Sequence, residues 1–228
     1  MSNKSSAWIA ELVAVFRKDW RTELRTRYAV ATLLLFAVTS LVVVSLSLGP
    51  VGASPEDRVW VAPVVLWLIL LFAAALGLPR AFVREEESRT ATALRLAATP
   101  SALFGGKLLY CVTLVFTLEI VVSPLFLAAL QVEIDHPWKF VGALAAGGFG
   151  LAAASTLVAS IVAQGEGKAT LFAVLSFPVL VPLLLLAVTL TRAALGGATP
   201  EGTLLQLLLY DGVVSVAGFM LFPAVWNP

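Results

Sequence analysis

The sequence predicts an all-α integral membrane protein: six transmembrane helices preceded by an amphipathic helix that lies at the membrane interface. Three observations lead there. The chain is 60% hydrophobic and only 13% charged, with a mean hydropathy of +0.96, whereas soluble domains carry about 25% charged residues. That leaves too little polar surface to coat a globule, so the solvent that fits is lipid. Six apolar runs each approach the ~20 residues a helix needs to cross a bilayer. Of the fifteen Lys and Arg residues, twelve fall on one side of those spans and three on the other. Helices are the expected form, because lipid offers no partner for free backbone groups.

The first element, residues 7–27, is the interfacial helix. Trp8, Leu12, Phe16, Trp20 and Leu24 recur every four residues, Ile9 and Val13 widen the stripe, and Arg17, Lys18, Arg21 and Arg25 lie mostly off it. Such a helix can rest on the inner membrane surface with its apolar side down and its basic side toward lipid phosphates. The same stripe could instead pack on a soluble partner.

The spans follow at 29–48, 59–78, 103–130, 140–163, 169–191 and 203–226. The first is too long for the apolar core of a cleavable leader. Only QGEGK separates the fourth and fifth, which predicts a tight helical hairpin. The fourth carries a ladder of small residues, Gly142–Ala146–Gly150–Ala154, with Gly147 beside it, a pattern that lets helix backbones approach closely. Pro178 and Pro182 are expected to bend the fifth, since each removes a backbone donor. Trp60 and Trp138 at the outer starts of two spans, and Trp226 at the inner end of the last, fit an aromatic belt.

Orientation follows from the basic bias: both termini belong in the cytosol. A net charge of +1 leaves no basic face for nucleic acid. The single cysteine, Cys111, can form no internal disulfide, and with one histidine makes no metal cluster. GxxxxGK[ST], HExxH, GxSxG and CxxC are all absent, which argues against an enzyme and against nucleotide binding by this chain. His136 reads as a solvated residue of the outer loop. Glu119 and Asp211 fall inside spans, where a carboxylate costs about 2.5–3.5 kcal/mol and usually faces protein or water. Both are candidate intramembrane functional residues, with Asp211 expected nearer the outer surface.

The most charged segment, residues 80–107, is RAFVREEESRTATALRLAATPSALFGGK. By the basic bias it is cytosolic, and Thr99-Pro100-Ser101 reads as a helix start with proline at the first position. An apolar span, then REEE, a Ser-Arg-Thr step, a Pro-Ser step, a GK and the next span resembles the permease half of type-2 ABC exporters, although Ser88 stands where that class often has glycine. More narrowly the chain is similar to the CcmB family, the heme exporter protein B of bacterial cytochrome c maturation. The similarity runs through KDWRTELRTR, the charged segment, GEGKATLFAVLSFPVLVPLLL and LLYDGVVSVAGFMLFPAVW.

The resemblance implies a type-2 permease fold, with residues 1–228 as one permease domain and residues 80–101 as a coupling loop. In that loop Arg84, Glu85, Glu86, Glu87, Arg89 and Leu94 would dock a separate cytosolic ABC ATPase. It implies a pair of such chains in the bacterial inner membrane, working with other membrane proteins of cytochrome c maturation. ATP would be used by the partner, heme would be the substrate, and no cofactor would be bound by this chain. Two mechanisms fit: export of heme itself, or use of ATP to release a heme-loaded periplasmic chaperone. A type-2 permease for a drug, lipid or polysaccharide shares the loop, and a membrane scaffold without a transport cycle shares the spans.

Overall fold

A computed structural model describes residues 2–48, 54–79, 85, 94, 97–162, 168–198 and 200–226. Among the described residues it consists of helices alone: α1 (Ser2–Thr26), α2 (Tyr28–Leu48), α3 (Pro55–Gly77), α4 (Pro100–Leu130), α5 (Pro137–Val162), α6 (Lys168–Ala194) and α7 (Thr203–Trp226). Six of these, α2 to α7, are long and apolar enough to cross a membrane. The chain is an all-α integral membrane protein.

Helix boundaries arise from local chemistry. Arg27 has a left-handed backbone, φ 51°, and ends α1. Its amide donates to the Glu23 carbonyl, while a Glu23 carboxylate oxygen accepts from the Val30 amide at 2.9 Å and satisfies a free donor in the first turn of α2. Ser54 caps α3 by accepting from the Asp57 amide at 3.2 Å. Thr99 is the N-cap of α4 and Pro100 its first residue, as the sequence predicts, but the Thr99 hydroxyl makes no cap bond. It donates instead to Glu11 of α1. Pro178 and Pro182 sit within α6, which continues through both.

The spans alternate in direction. At one end the close of α2 meets the close of α4 through Ser45 and the Ala129 carbonyl. The start of α3 joins that same end through Arg58 and the Leu130 carbonyl, and the start of α5 meets the close of α6 through the His136 amide and the Ala194 carbonyl. At the other end Phe104, early in α4, packs on Phe219 and Phe222, late in α7. This is the end that carries α1. The connection between α5 and α6, residues 163–167, lies outside the described residues.

Helix α5 is the axis of the bundle. It touches α3, α4, α6 and α7, and most of its buried residues are Ala, Gly, Ser or Thr. Gly147 faces the Trp67 ring of α3, Gly148 faces Glu119 of α4, and Gly150 faces Asp211 of α7 and Leu183 of α6, each closely enough that a methyl group would overlap. Gly142 is different: the nearest atom to a methyl there would be Leu204 Cδ1 at 3.9 Å. Of the ladder expected from the sequence, Gly150 is tight and Gly142 is open, and Gly148, off the ladder, is a further tight position. The reason is that four helices surround α5, so close approach is needed on several faces rather than along one row.

Two further expectations change. Trp60 and Trp138 are exposed, as belt residues should be, but Trp226 is buried and stacks on Phe222 with ring centroids 5.4 Å apart. The α1 stripe divides in two. Trp8 and Leu12 turn toward α4, joined there by Val15 from outside the stripe, while Ile9, Val13 and Leu24 remain exposed. A four-residue repeat drifts around a helix of 3.6 residues per turn, so one apolar row serves two faces.

Candidate functional site

The site grows from two glycines. At Gly105 an added methyl would come within 2.8 Å of Leu12, and at Gly106 within 2.8 Å of the Leu12 carbonyl and 2.7 Å of Val15. Glycine at both positions lets α1 lie directly on α4, and the next residue, Lys107, is thereby sealed inside with 0% exposure. Its ammonium is 2.9 Å from Glu85 Oε2 and 3.4 Å from Asp19 Oδ2. Lys18 completes the group, pairing with Glu85 Oε1 and lying 3.2 Å from Asp19 Oδ1. Two cations and two carboxylates thus close a neutral ring joining α1, the charged segment and α4. Ion pairs taken out of water persist only when partners are this complete. Burial lowers the proton affinity of Lys18, but the Asp19 and Glu85 carboxylates outweigh it and hold the ammonium above its ordinary value.

The rest of α1 is tied down by acids as well. Glu11 accepts from the Thr99 amide at 2.9 Å and the Thr99 hydroxyl at 2.8 Å. These donors, the amide foremost, hold its carboxyl below the usual range. Trp8 Nε1 donates to Ser101 at 3.0 Å, and the Tyr110 hydroxyl donates to Glu23 at 3.2 Å. Every acid on α1 therefore faces the protein, while Arg17, Arg21 and Arg25 stay exposed.

Of the residues expected to dock an ATPase, Glu85 is buried within the ring, and Leu94 is half-buried against the core. The Glu85 carboxylate is turned inward, with each of its oxygens in an ion pair. Arg84, Glu86, Glu87 and Arg89 lie outside the described residues. His136 is exposed at the end away from α1.

Glu119 and Asp211 are both deeply buried, and both are seated on α5. The placement of Asp211 near the outer surface is corrected: it meets Gly150, two residues from the Gly148 contact of Glu119, so the two share nearly one depth. Sequence reasoning missed Lys107, Lys18 and Asp19 as a unit. Lys107 reads as one more loop cation, and only the pair of glycines before it hints that another helix covers it.

The comparisons agree with this architecture. The family model described as CcmB protein matches residues 10–225. A curated relative, "Heme exporter protein B" of Bradyrhizobium diazoefficiens, is 25% identical over 206 residues, covering 90% of this chain and 91% of that one. A match running from the first half of α1 to the last turn of α7, over all six apolar helices, shows that this chain belongs to the CcmB protein family.

Proposed function

We propose that this chain is the membrane permease subunit of an ABC-type heme exporter of cytochrome c maturation, driven by ATP hydrolysis in a separate cytosolic subunit. Family membership and the name of the relative support the heme assignment. The observation that carries the coupling is the buried ring: Glu85, in the charged segment, grips Lys107 on α4 and Lys18 on α1. Force applied to residues 80–101 is thereby passed to a membrane helix and to the interfacial helix together.

On this reading the segment is cytosolic, α1 rests on the inner leaflet of the bacterial inner membrane, and both termini are cytosolic. Two copies of the permease work with the ATPase and with other membrane proteins of the system. Within the segment the labour is divided: Glu85 and Leu94 anchor it, and Arg84, Glu86, Glu87 and Arg89 meet the partner.

The test reverses Glu86 and Glu87 to lysine while leaving Glu85 in place. Like charges brought together at an interface cost several kcal/mol, so recovery of the ATPase with the tagged chain should fall at least about tenfold. Heme-stained c-type cytochromes should disappear, while the chain still inserts, since added cations in a cytosolic loop agree with the orientation rule. Full recovery of both partner and cytochromes would overturn the coupling role.

A further inference from the structure

Two carboxylates stand inside the bundle with no cation beside them among the described residues. Glu119 is 4% exposed and Asp211 2%. Glu119 Oε1 and both carboxylate oxygens of Asp211 have no hydrogen-bond partner among the described residues. Each fits a notch in α5, Glu119 at Gly148 and Asp211 at Gly150. Two residues of helix rise amount to about 3 Å and 200° of turn, so the acids meet α5 at one depth on opposite sides. The backbone of α5, its Cα atoms on a cylinder of about 2.3 Å radius, lies between them, which excludes a single metal ion bound by both at the roughly 2.0–2.6 Å that oxygen ligands require.

Among the described residues no other charge reaches them along the packed elements. Helix α5 has no charged side chain from Phe140 to Val162, α2 has none from Tyr28 to Leu48, and α7 has only Asp211. The charges of α3 (Glu56, Asp57, Arg58) and of α6 (Lys168, Arg192) lie at helix ends. On α4, Lys107 is twelve residues from Glu119, about 18 Å along the axis, and is already ion-paired. Tyr110 and Cys111 lie toward that same end, and the acids of α1 are engaged there. The Tyr210 hydroxyl, beside Asp211, donates to the Val179 carbonyl.

We propose that Glu119 and Asp211 are proton-binding sites: each holds a proton while seated on α5 and gives it up when α5 moves and water enters the notch. An ionised carboxylate without a partner is far more costly in apolar surroundings than a neutral one, so packing and protonation favour each other. Each movement of α5 then exchanges protons with water, and acid favours the packed bundle while alkali favours the parted one. This holds whatever cargo the bundle serves.

The test is infrared spectroscopy of the full chain in lipid nanodiscs. The carboxylic-acid C=O band should be present at neutral pH in the wild type and persist well above the ordinary carboxylate range, a readout that needs no variant. Glu119→Gln and Asp211→Asn, which keep shape and remove the titration, should each delete about half of it. Thermal unfolding adds a second readout. A folded state that holds extra protons loses stability as pH rises, so the wild-type midpoint should fall as pH is raised above neutral and the double variant should stay nearly flat. Absence of the band at neutral pH, or a band and pH slope unchanged in the double variant, would overturn the proposal.

Discussion

Lys107 is a lysine with nowhere to go but its partners. Removing one member of a buried ion pair strands the other charge and costs about 3–5 kcal/mol. Lys107→Met should therefore lower the unfolding midpoint in detergent markedly. Lys107→Met combined with Glu85→Leu should recover most of that loss, because Lys18 and Asp19 still balance each other 3.2 Å apart. A double variant no more stable than the single one would show that the ring does not act as a unit. Glu11 offers a milder case. Its carboxyl is held low by Thr99, so the contact is present above the ordinary carboxylate range and is lost as pH falls through its lowered value. Proteolysis of the α1 end should accelerate under acid in the wild type, and already at neutral pH in Glu11→Gln. At this scale the sequence was least legible. Glu119 and Asp211 could be named because a carboxylate in an apolar run is conspicuous, but the ring depends on contacts between residues up to 88 positions apart in the chain (Asp19 to Lys107), which no local pattern encodes.

Among elements, α5 shows what small residues do in lipid, where close backbone approach replaces the hydrophobic drive between helices. The glycines are not equivalent. Gly147→Ala drives a methyl into the Trp67 ring, whose indole N–H donates to Thr191 of α6 at 2.9 Å, so α3, α5 and α6 are all disturbed. Overpacking of this kind costs about 1–3 kcal/mol. Gly142→Ala meets nothing nearer than 3.9 Å and should be neutral or slightly stabilising, since alanine is the better helix former. Equal destabilisation by the two, measured as unfolding midpoints, would contradict the packing described here. The presence of a small-residue helix was readable from its spacing. Which glycines are tight was not, because that depends on which four neighbours surround α5. Likewise the apolar stripe of α1 was legible, while its division between α4 and the lipid side needed the position of α4.

At the scale of the molecule, span number and limits were the most legible feature, because a bilayer demands ~20 apolar residues of each helix and little else in the chain meets that demand. The orientation rests on where the cations sit and how they are held. At the end away from α1, Arg192 lies over the Trp60 ring at 4.3 Å, Lys139 over Trp138 at 5.6 Å, and Arg58 donates to the Leu130 carbonyl. At the α1 end Arg17, Arg21 and Arg25 are exposed and turned away from every acid of their own helix. Lys and Arg are in excess on the cytosolic side of membrane proteins, and on that rule the proposed topology puts the α1 end in the cytosol. Single cysteines placed at Asp135 and at Arg89, in a background of Cys111→Ala, test it directly. Cys111 is fully buried, so its removal clears the background, and alanine keeps the site apolar. In intact cells an impermeant maleimide should label the cysteine at 135, and should reach the one at 89 only after the membrane is opened. Labelling of position 89 from outside, with 135 protected, would invert the molecule. The charged segment, the ion-pair ring and α1 would then face away from any cytosolic ATPase, and the coupling proposal would fall with the topology.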